Sequence, residues 1–523
     1  MSDDVGPHTP AGASRVERLV PVTVTVLVLL VAIMTISPWP VGVFEDDGIY
    51  TVLARSLATG EGYRLTNLPG SPNATHYPPG YPFVLSLLWR MSPAFPDNVV
   101  VFKFANAIFL ALAALATWYF AHRRLGMSSI AAGVVAIVST ISIVVLLVTG
   151  LVLSEPLFLA LLMPALLLAE RTVDADDVRR AVLAGAALGA LALVRTLGAL
   201  AIPAAVVVLL WHRRLRAAIV LAGVAAAFLV PWQLWVGFHQ QEVAPVLMGK
   251  YGAYGPWMSE GYATGGWPFA RAVVLRNLQG LHGMLGYMLM PVRFELPRLL
   301  ALVAITLLGI VGLLRLVRHA PVSVVFLLAY GAAVLVWPFD ANRFLWAVWP
   351  GVVLAVWQGV TWIWHWRGTT GSARVLRIAA LALSLAPAAG FLVYNARGYR
   401  GQWWASIQRD GGQHARPLVE WVAGNTEIGD VVATEADLIV HLYTGRRTTP
   451  VGTFLPVQRI RPLTAAEELD AMRNILLTYG PRFVIVSSSA GVASAEALAE
   501  ATPPELKRLT KLSNALIYER VMP

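Results

Sequence analysis

Over 523 residues the chain carries 13% charged and 57% hydrophobic residues, with 40 Lys and Arg against 30 Asp and Glu. A soluble globular chain holds roughly 25% charged residues, so this composition excludes one and calls for an apolar solvent, the bilayer, which runs near ~20 residues would cross repeatedly. The formal charge of +10 is nearly all Arg in short loops between apolar runs, with Lys only at Lys103, Lys250, Lys507 and Lys511, which argues against nucleic acid as a partner, and the lack of Cys excludes disulfides, thiolate metal sites and Cys nucleophiles.

Residues 1–14 are polar and rich in Gly and Pro, the composition of a disordered cytoplasmic tail that runs to residue 18. The first apolar run, Leu19–Trp39, follows Arg15 and Arg18; it is too long for a signal-peptide core and no small-x-small site closes it, so it reads as a permanent span. Further spans are predicted at 99–121, 130–149, 151–169, 181–194, 197–211, 217–237, 298–316, 320–337, 344–364 and 374–394, an all-α polytopic membrane domain over 19–395 with about 11–13 spans. Basic loops flank spans on the cytoplasmic side. Placing His122–Arg124, Arg171–Arg180, Trp211–Arg216, Arg315–His319 and Trp366–Arg377 inside puts the amino end in the cytoplasm and the carboxyl end outside.

Two large outer loops follow from that arrangement, 40–98 and 238–297. The short apolar stretch 80–91 is expected to be a re-entrant or juxtamembrane helix, and 276–291 an amphipathic helix on the outer surface. In the second loop Tyr251, Tyr254, Trp257 and Trp267 fit either stacking on sugar rings or an interfacial aromatic belt. Beyond 395 Asp and Glu return and apolar runs shorten. Val431–Thr434, Phe483–Ser487 and Leu516–Arg520 read as strands and Ala465–Tyr479 as a helix, so 396–523 is expected to be a small extracytoplasmic α/β domain. No internal repeat is visible.

Five features fall on the outer side. Glu45-Asp46-Asp47 follows the first span, where three adjacent carboxylates are costly; they are either a solvated loop start or a pair in which one acid stays ionised as a base. His76-Tyr77-Pro78-Pro79-Gly80-Tyr81-Pro82 has a rigid non-helical backbone, with His76 as filler or ligand. Ser154-Glu155-Pro156 opens a span, where a Glu also suits the helix dipole. Arg195 lies between two short apolar runs, and Asp340-Ala341-Asn342-Arg343 follows Trp337-Pro338; interfacial Arg also snorkels to lipid phosphate. Together these residues suit a phosphate-bearing lipid substrate, with Arg holding phosphate and a carboxylate taking a proton from an attacking hydroxyl. A divalent metal between Asp46, Asp47 and Glu155 is compatible with hard-cation chemistry but not required.

The strings Asp46-Asp47-Gly48-Ile49-Tyr50, Ala54-Arg55-Ser56-Leu57, Gly60-Glu61-Gly62-Tyr63 and His76–Pro82 resemble the first outer loop of GT-C membrane glycosyltransferases. The similarity points in particular to bacterial members of the protein O-mannosyltransferase and lipid A aminoarabinose transferase branch. The Ser154-Glu155-Pro156 and Asn342-Arg343-Phe344 segments fit the same group. The resemblance implies a multi-pass enzyme of the bacterial plasma membrane that transfers a hexose or pentose, with inversion, from a polyprenyl-phosphate donor to a glycan, lipid or protein acceptor at the outer face. It implies Asp46 as catalytic base with Asp47 in the place of the family's usual Glu. His76, Arg195 and Arg343 are then expected on the donor phosphate, and Glu45, Tyr77, Glu155 and Asp340 near substrate or metal. A Lys often precedes the double Pro in that group, where this chain has Tyr77, so the cation comes from His76 or from an Arg. The rival from another class is a lipid-linked sugar flippase or secondary transporter, for which ionisable groups near the bilayer midplane and repeated halves would speak. A non-catalytic anchor for the carboxyl-terminal domain leaves the acidic cluster unexplained.

Overall fold

A computed structural model describes residues 15–521 apart from 176 and 367–370; the tail expected at 1–14 lies outside the described residues. Every run read as a span is helical: Arg15–Met34, Val99–Arg123, Ser129–Thr140 with Ile143–Gly150, Glu155–Asp174, Val178–Val194, Thr196–Leu200 continued by Ala201–Trp211, Leu215–His239, Glu295–Leu316, Pro321–Val336, Trp349–His365 and Gly371–Arg400. Among the described residues six helices are long and apolar enough to cross a membrane. A seventh span arises if Ser129–Thr140 and Ile143–Gly150, bent by 56°, count as one. Thr196–Trp211 and Pro321–Val336 are apolar but shorter.

Local chemistry explains where the helices depart from expectation. The first stops at Met34 rather than Trp39 because Pro38 and Pro40 disfavour helical backbone in the residues before them. The span expected from 344 starts at Trp349, with Pro350 in its first turn, after a separate short helix Ala341–Trp346 that carries Arg343. The segment 238–297 is largely helical. It holds a 36-residue helix, Tyr254–Leu289, kinked at Gly266 (φ 53°), so the segment expected to start at 276 is its second half. Within 40–98 the helices Asp46–Thr59 and Gly80–Met91 flank the proline-rich turn.

The carboxyl-terminal part is α/β. Five strands, β1 (Val431–Thr434), β2 (Arg447–Thr449), β3 (Phe483–Val486), β4 (Leu506–Lys511) and β5 (Leu516–Arg520), form one sheet in the order β2-β1-β3-β5-β4. β1 runs parallel to β2 and β3, with Val432 opposite Phe483. β5 is antiparallel to β3 and β4, with Tyr518 opposite Val484. β3 is buried along its whole length, the pattern of a central strand covered on both faces. The two strands not foreseen, β2 and β4, are edge strands, and β4 is exposed beyond its first residue and carries Lys507, Arg508 and Lys511, as an edge facing water should.

This unit is locked to the segment after the first long helix by close backbone approach. Its helix Asp437–Thr444 lies against Gly42 and Gly48: a Cβ on Gly42 (φ +90°) would sit 3.1 Å from the Ile439 Cα, and one on Gly48 2.7 Å from the Leu438 Cβ. A buried Lys103 adds a polar clamp. Its Nζ donates to the carbonyls of Ser37 (2.8 Å) and Trp39 (2.7 Å) and to Gln408 Oε1 (3.3 Å), while Gln408 Nε2 donates to the Gly150 carbonyl (2.9 Å). Gly48→Ala should therefore lower stability by about 1–3 kcal/mol through overpacking. Gly42→Ala should do the same with added backbone strain, whereas Gly223→Ala, with open space around its Cα, should not. Thermal unfolding of the detergent-solubilised chain checks the order.

Candidate active site

The site starts with a tight turn. Residues 41–45 leave the first span without helical structure, Glu45 has positive φ (66°), and the helix Asp46–Thr59 begins at once. A non-glycine residue held there costs roughly 1–3 kcal/mol and needs its surroundings to hold it. Asp47 does so. Its fully buried carboxylate accepts from the backbone N–H of Gly42 (2.9 Å) and Phe44 (3.0 Å), stapling the turn to the helix start. Burial pushes its carboxyl up to about 6, against the amide donors that favour the ionised form. With the turn pinned, the side chains on either side of it reach different partners: Asp46 meets Arg343, and Glu45 meets Lys250.

Asp46 enters a four-membered ion cluster drawn from four stretches of sequence. Its Oδ2 lies 2.5 Å from Arg343 Nη1. The rest of the same guanidinium forks onto Glu155, Nε to Oε1 at 2.5 Å and Nη2 to Oε2 at 3.2 Å. Arg195 Nη1 is 2.9 Å from Glu155 Oε1 and donates to Ser154 Oγ at 3.0 Å, which in turn is 3.1 Å from the Tyr50 hydroxyl. Glu155 is wholly buried and Arg195 nearly so, while Arg343 and Asp46 keep 18% and 21% of their side chains exposed. The exposed edge of the cluster is thus one carboxylate and one guanidinium, backed by a buried pair. Phe44 and Phe344 cover the two guanidiniums at 5.1 and 5.6 Å. Four of the expected residues, Asp46, Glu155, Arg195 and Arg343, are brought together.

The others go elsewhere. Asp47, expected beside Asp46 as a second acid, is spent on the turn's amides. His76 is buried, bonds the Gly252 carbonyl through Nδ1 (2.6 Å) and packs on Tyr254 at 4.1 Å. Burial lowers its pKa to about 4, so it is neutral at pH 7 and does not supply the cation expected of it. Tyr77 packs against Tyr50 with the rings tilted at 4.8 Å, in an aromatic wall that continues to Tyr81. Asp340 is 71% exposed and pairs with Arg276 (2.9 Å) and Arg459 (3.7 Å), outside the cluster. The proposed metal set does not assemble either. Glu155 gives both oxygens to guanidiniums, and among the described residues no three His, Asp or Glu side chains are grouped as metal ligands.

Sequence reasoning missed a second network beside the first. Lys250 Nζ lies 3.6 Å from Glu45 and donates to Asp437 at 2.9 Å. Asp437 also accepts from the Tyr251 hydroxyl, which accepts from Asn67 Nδ2 at 3.0 Å. It joins the segments 40–98 and 238–297 to the carboxyl-terminal unit. The rarity of Lys in the chain marked Lys250 as unusual; nothing in the sequence around Asp437 did.

Two outcomes test this geometry. Glu155→Leu leaves two guanidiniums beside an apolar group and should cost about 3–5 kcal/mol, whereas Glu45→Leu, half exposed and 3.6 Å from its partner, should cost less than about 1 kcal/mol; thermal unfolding compares them. His76 and His441 both titrate near 4 in the fold because of burial, below the ordinary imidazole value of 6.5. The unfolded chain therefore binds more protons between pH 6.5 and 4, and their contribution is complete above 6.5 and lost as pH falls through that window. Asp47, raised to about 6, has the opposite slope between its ordinary value and 6. A His76→Gln/His441→Gln chain keeps Asp47, so the difference in melting temperature from the parent should narrow as the pH is lowered from 7 to 4.

No family model and no curated protein sequence matches the chain. Solved structures do. ArnT from Cupriavidus metallidurans in the apo state aligns over 96% of this chain and 97% of its own, with TM-score 0.52 and 13% identity. The same protein bound to undecaprenyl phosphate aligns over 97% and 99%, with TM-score 0.51 and 13% identity. The mycobacterial arabinofuranosyltransferase AftD shares 15% identity at TM-score 0.44, with 98% of this chain covering 40% of that one. Over nearly its whole length, apolar helices and carboxyl-terminal unit alike, the chain shares the fold of ArnT.

Proposed function

We propose that the chain is an inverting glycosyltransferase that moves a sugar, hexose or pentose, from a polyprenyl-phosphate donor to an acceptor hydroxyl at the outer face of a bacterial plasma membrane. The observation that carries this reading is the half-open ion cluster: a carboxylate and a guanidinium at the surface, held in place by a buried Glu–Arg pair. The fold shared with ArnT, whose structure holds undecaprenyl phosphate, supports the donor class.

In this reading the donor phosphate competes with Asp46 for Arg343. Arg343 turns part of its fork to the phosphate while Glu155 keeps it anchored, and the released Asp46 carboxylate accepts the proton of the acceptor hydroxyl. The acceptor oxygen attacks the anomeric carbon from the face opposite the phosphate. The carbon–oxygen bond to phosphate breaks, and its electron pair leaves with the polyprenyl phosphate, whose charge Arg343 and Arg195 stabilise. Phosphate is a sufficient leaving group without a general acid. Asp47 acts only on the turn, as a positioning residue. The tetrad makes a span-end site on one side of the bundle, which favours chemistry at one interface over carriage across the membrane.

Asp46→Asn should lower kcat by about 10²–10⁴-fold in a purified assay with a synthetic polyprenyl-phosphate sugar, while the chain melts at the parent temperature. Near-normal turnover would refute the assignment.

A further inference from the structure

A cavity of about 670 Å³ lies away from the ion cluster, between the helices Asp46–Thr59 and Gly80–Met91, the turn after them and the helix Asp437–Thr444. Its walls include Arg55, Arg90, Trp89, Phe95 and Tyr443. No lining residue is acidic, and none belongs to a helix long enough to span the membrane. Among the described residues the Arg55 guanidinium has no hydrogen-bond or ion-pair partner, and Arg90 donates only to the Leu57 carbonyl, at 3.0 Å. His441, just before the lining residues Leu442 and Tyr443, is buried with Nε2 unbonded and lies in the field of Arg55. The aromatic walls are continuous: Trp89 stacks on Phe95 at 5.6 Å, and Phe95 meets Tyr443 edge-on at 5.0 Å.

Two guanidiniums without a carboxylate between them repel each other, and their planar forks match carboxylate or phosphate oxygens. Flat aromatic faces beside them offer apolar surface to a sugar ring. The volume is that of a site for a ligand of several rings, far larger than a bare anion needs. A lipid headgroup site would take a wall from the spans so that its chains stay in the bilayer; this cavity takes none. The far wall is also wired to the ion cluster. Tyr443 accepts from the Val41 N–H at 3.3 Å, at the start of the turn that aims Asp46, and Arg55 stands about 14 Å along the helix from Asp46, nine residues at the helical rise.

We infer that this cavity binds an acidic oligosaccharide, its carboxylate or phosphate on Arg55 and Arg90 and its rings against Trp89, Phe95 and Tyr443, as the distal part of the acceptor. The identification as acceptor rests on the transferase reading; the anion preference does not, and binding is read without turnover. The full chain in phosphatidylcholine nanodiscs is titrated with trigalacturonate and with neutral maltotriose, followed by calorimetry. Trigalacturonate should bind at least about tenfold more tightly than maltotriose. Arg55→Gln and Arg90→Gln, each melting as the parent, should each lose about tenfold or more, and Asp46→Asn should bind as the parent does. Equal binding of the two sugars, no binding of trigalacturonate, or affinity unchanged in both Arg variants would overturn the proposal. So would Arg55-dependent retention of phosphatidylglycerol without trigalacturonate binding, which makes the cavity a lipid site. Full turnover by Asp46→Asn with trigalacturonate binding intact would sink the transferase reading and leave the acidic-saccharide site standing.

Discussion

The buried carboxylate of Glu155 is the constraint on which the site depends. It opens a membrane-spanning helix, where its own charge is favoured by the helix amides, and it holds two guanidiniums from distant parts of the chain. Arg195, nearly buried and paired with no other carboxylate in the cluster, could not be carried into so dry a place without it, since an unpaired buried charge is strongly unfavourable. Glu155 therefore does more than add stability: it decides that the ends of the helices carrying residues 154, 195 and 343 meet. Asp46 is the fourth member and the most exposed, held by a guanidinium whose other nitrogens are already occupied. That arrangement suits a group that has to be released when a competing anion arrives.

The turn before Asp46 shows how strain is used. Glu45 sits in a backbone region that disfavours its side chain, and the conformation persists because the Asp47 carboxylate collects two amides of the same turn. The result is that adjacent acids have separate jobs. One staples the backbone, one joins the tetrad, and the third reaches Lys250 and, through it, the carboxyl-terminal unit. A change in any of the three would be felt by the others through a few atoms of backbone.

The carboxyl-terminal α/β unit takes part in shaping the membrane-side site. Its helix Asp437–Thr444 lies on Gly42 and Gly48, supplies Asp437 to Lys250 and Tyr251, and forms one wall of the arginine-lined cavity. Lys103, a buried cation satisfied by carbonyls and one amide oxygen, ties the end of the first span to the helix that begins this unit. Site and unit are coupled by contact, so the turn that aims Asp46 and the wall of the arginine-lined cavity have a common structural basis.

Composition and periodicity by themselves determined the helical membrane class, the position of nearly every apolar helix, three of the five strands and the short list from which the ion cluster is drawn. These follow from local physics: the bilayer's demand for long apolar runs, the period of a strand, and the cost of charge at a span end. The partners were decided only by tertiary structure. Asp46 and Asp47 are neighbours of the same chemical type in the first turn of one helix, yet they leave it about 100° apart, so one faces Arg343 and the other folds back onto the amides of the turn before it. His76 looked like a cation by residue type and is a neutral, buried ring by environment. Asp340 lies three residues before Arg343 and points to other arginines. Asp437 and the cavity at Arg55 arise where segments hundreds of residues apart touch, a relation that no spacing along the chain encodes.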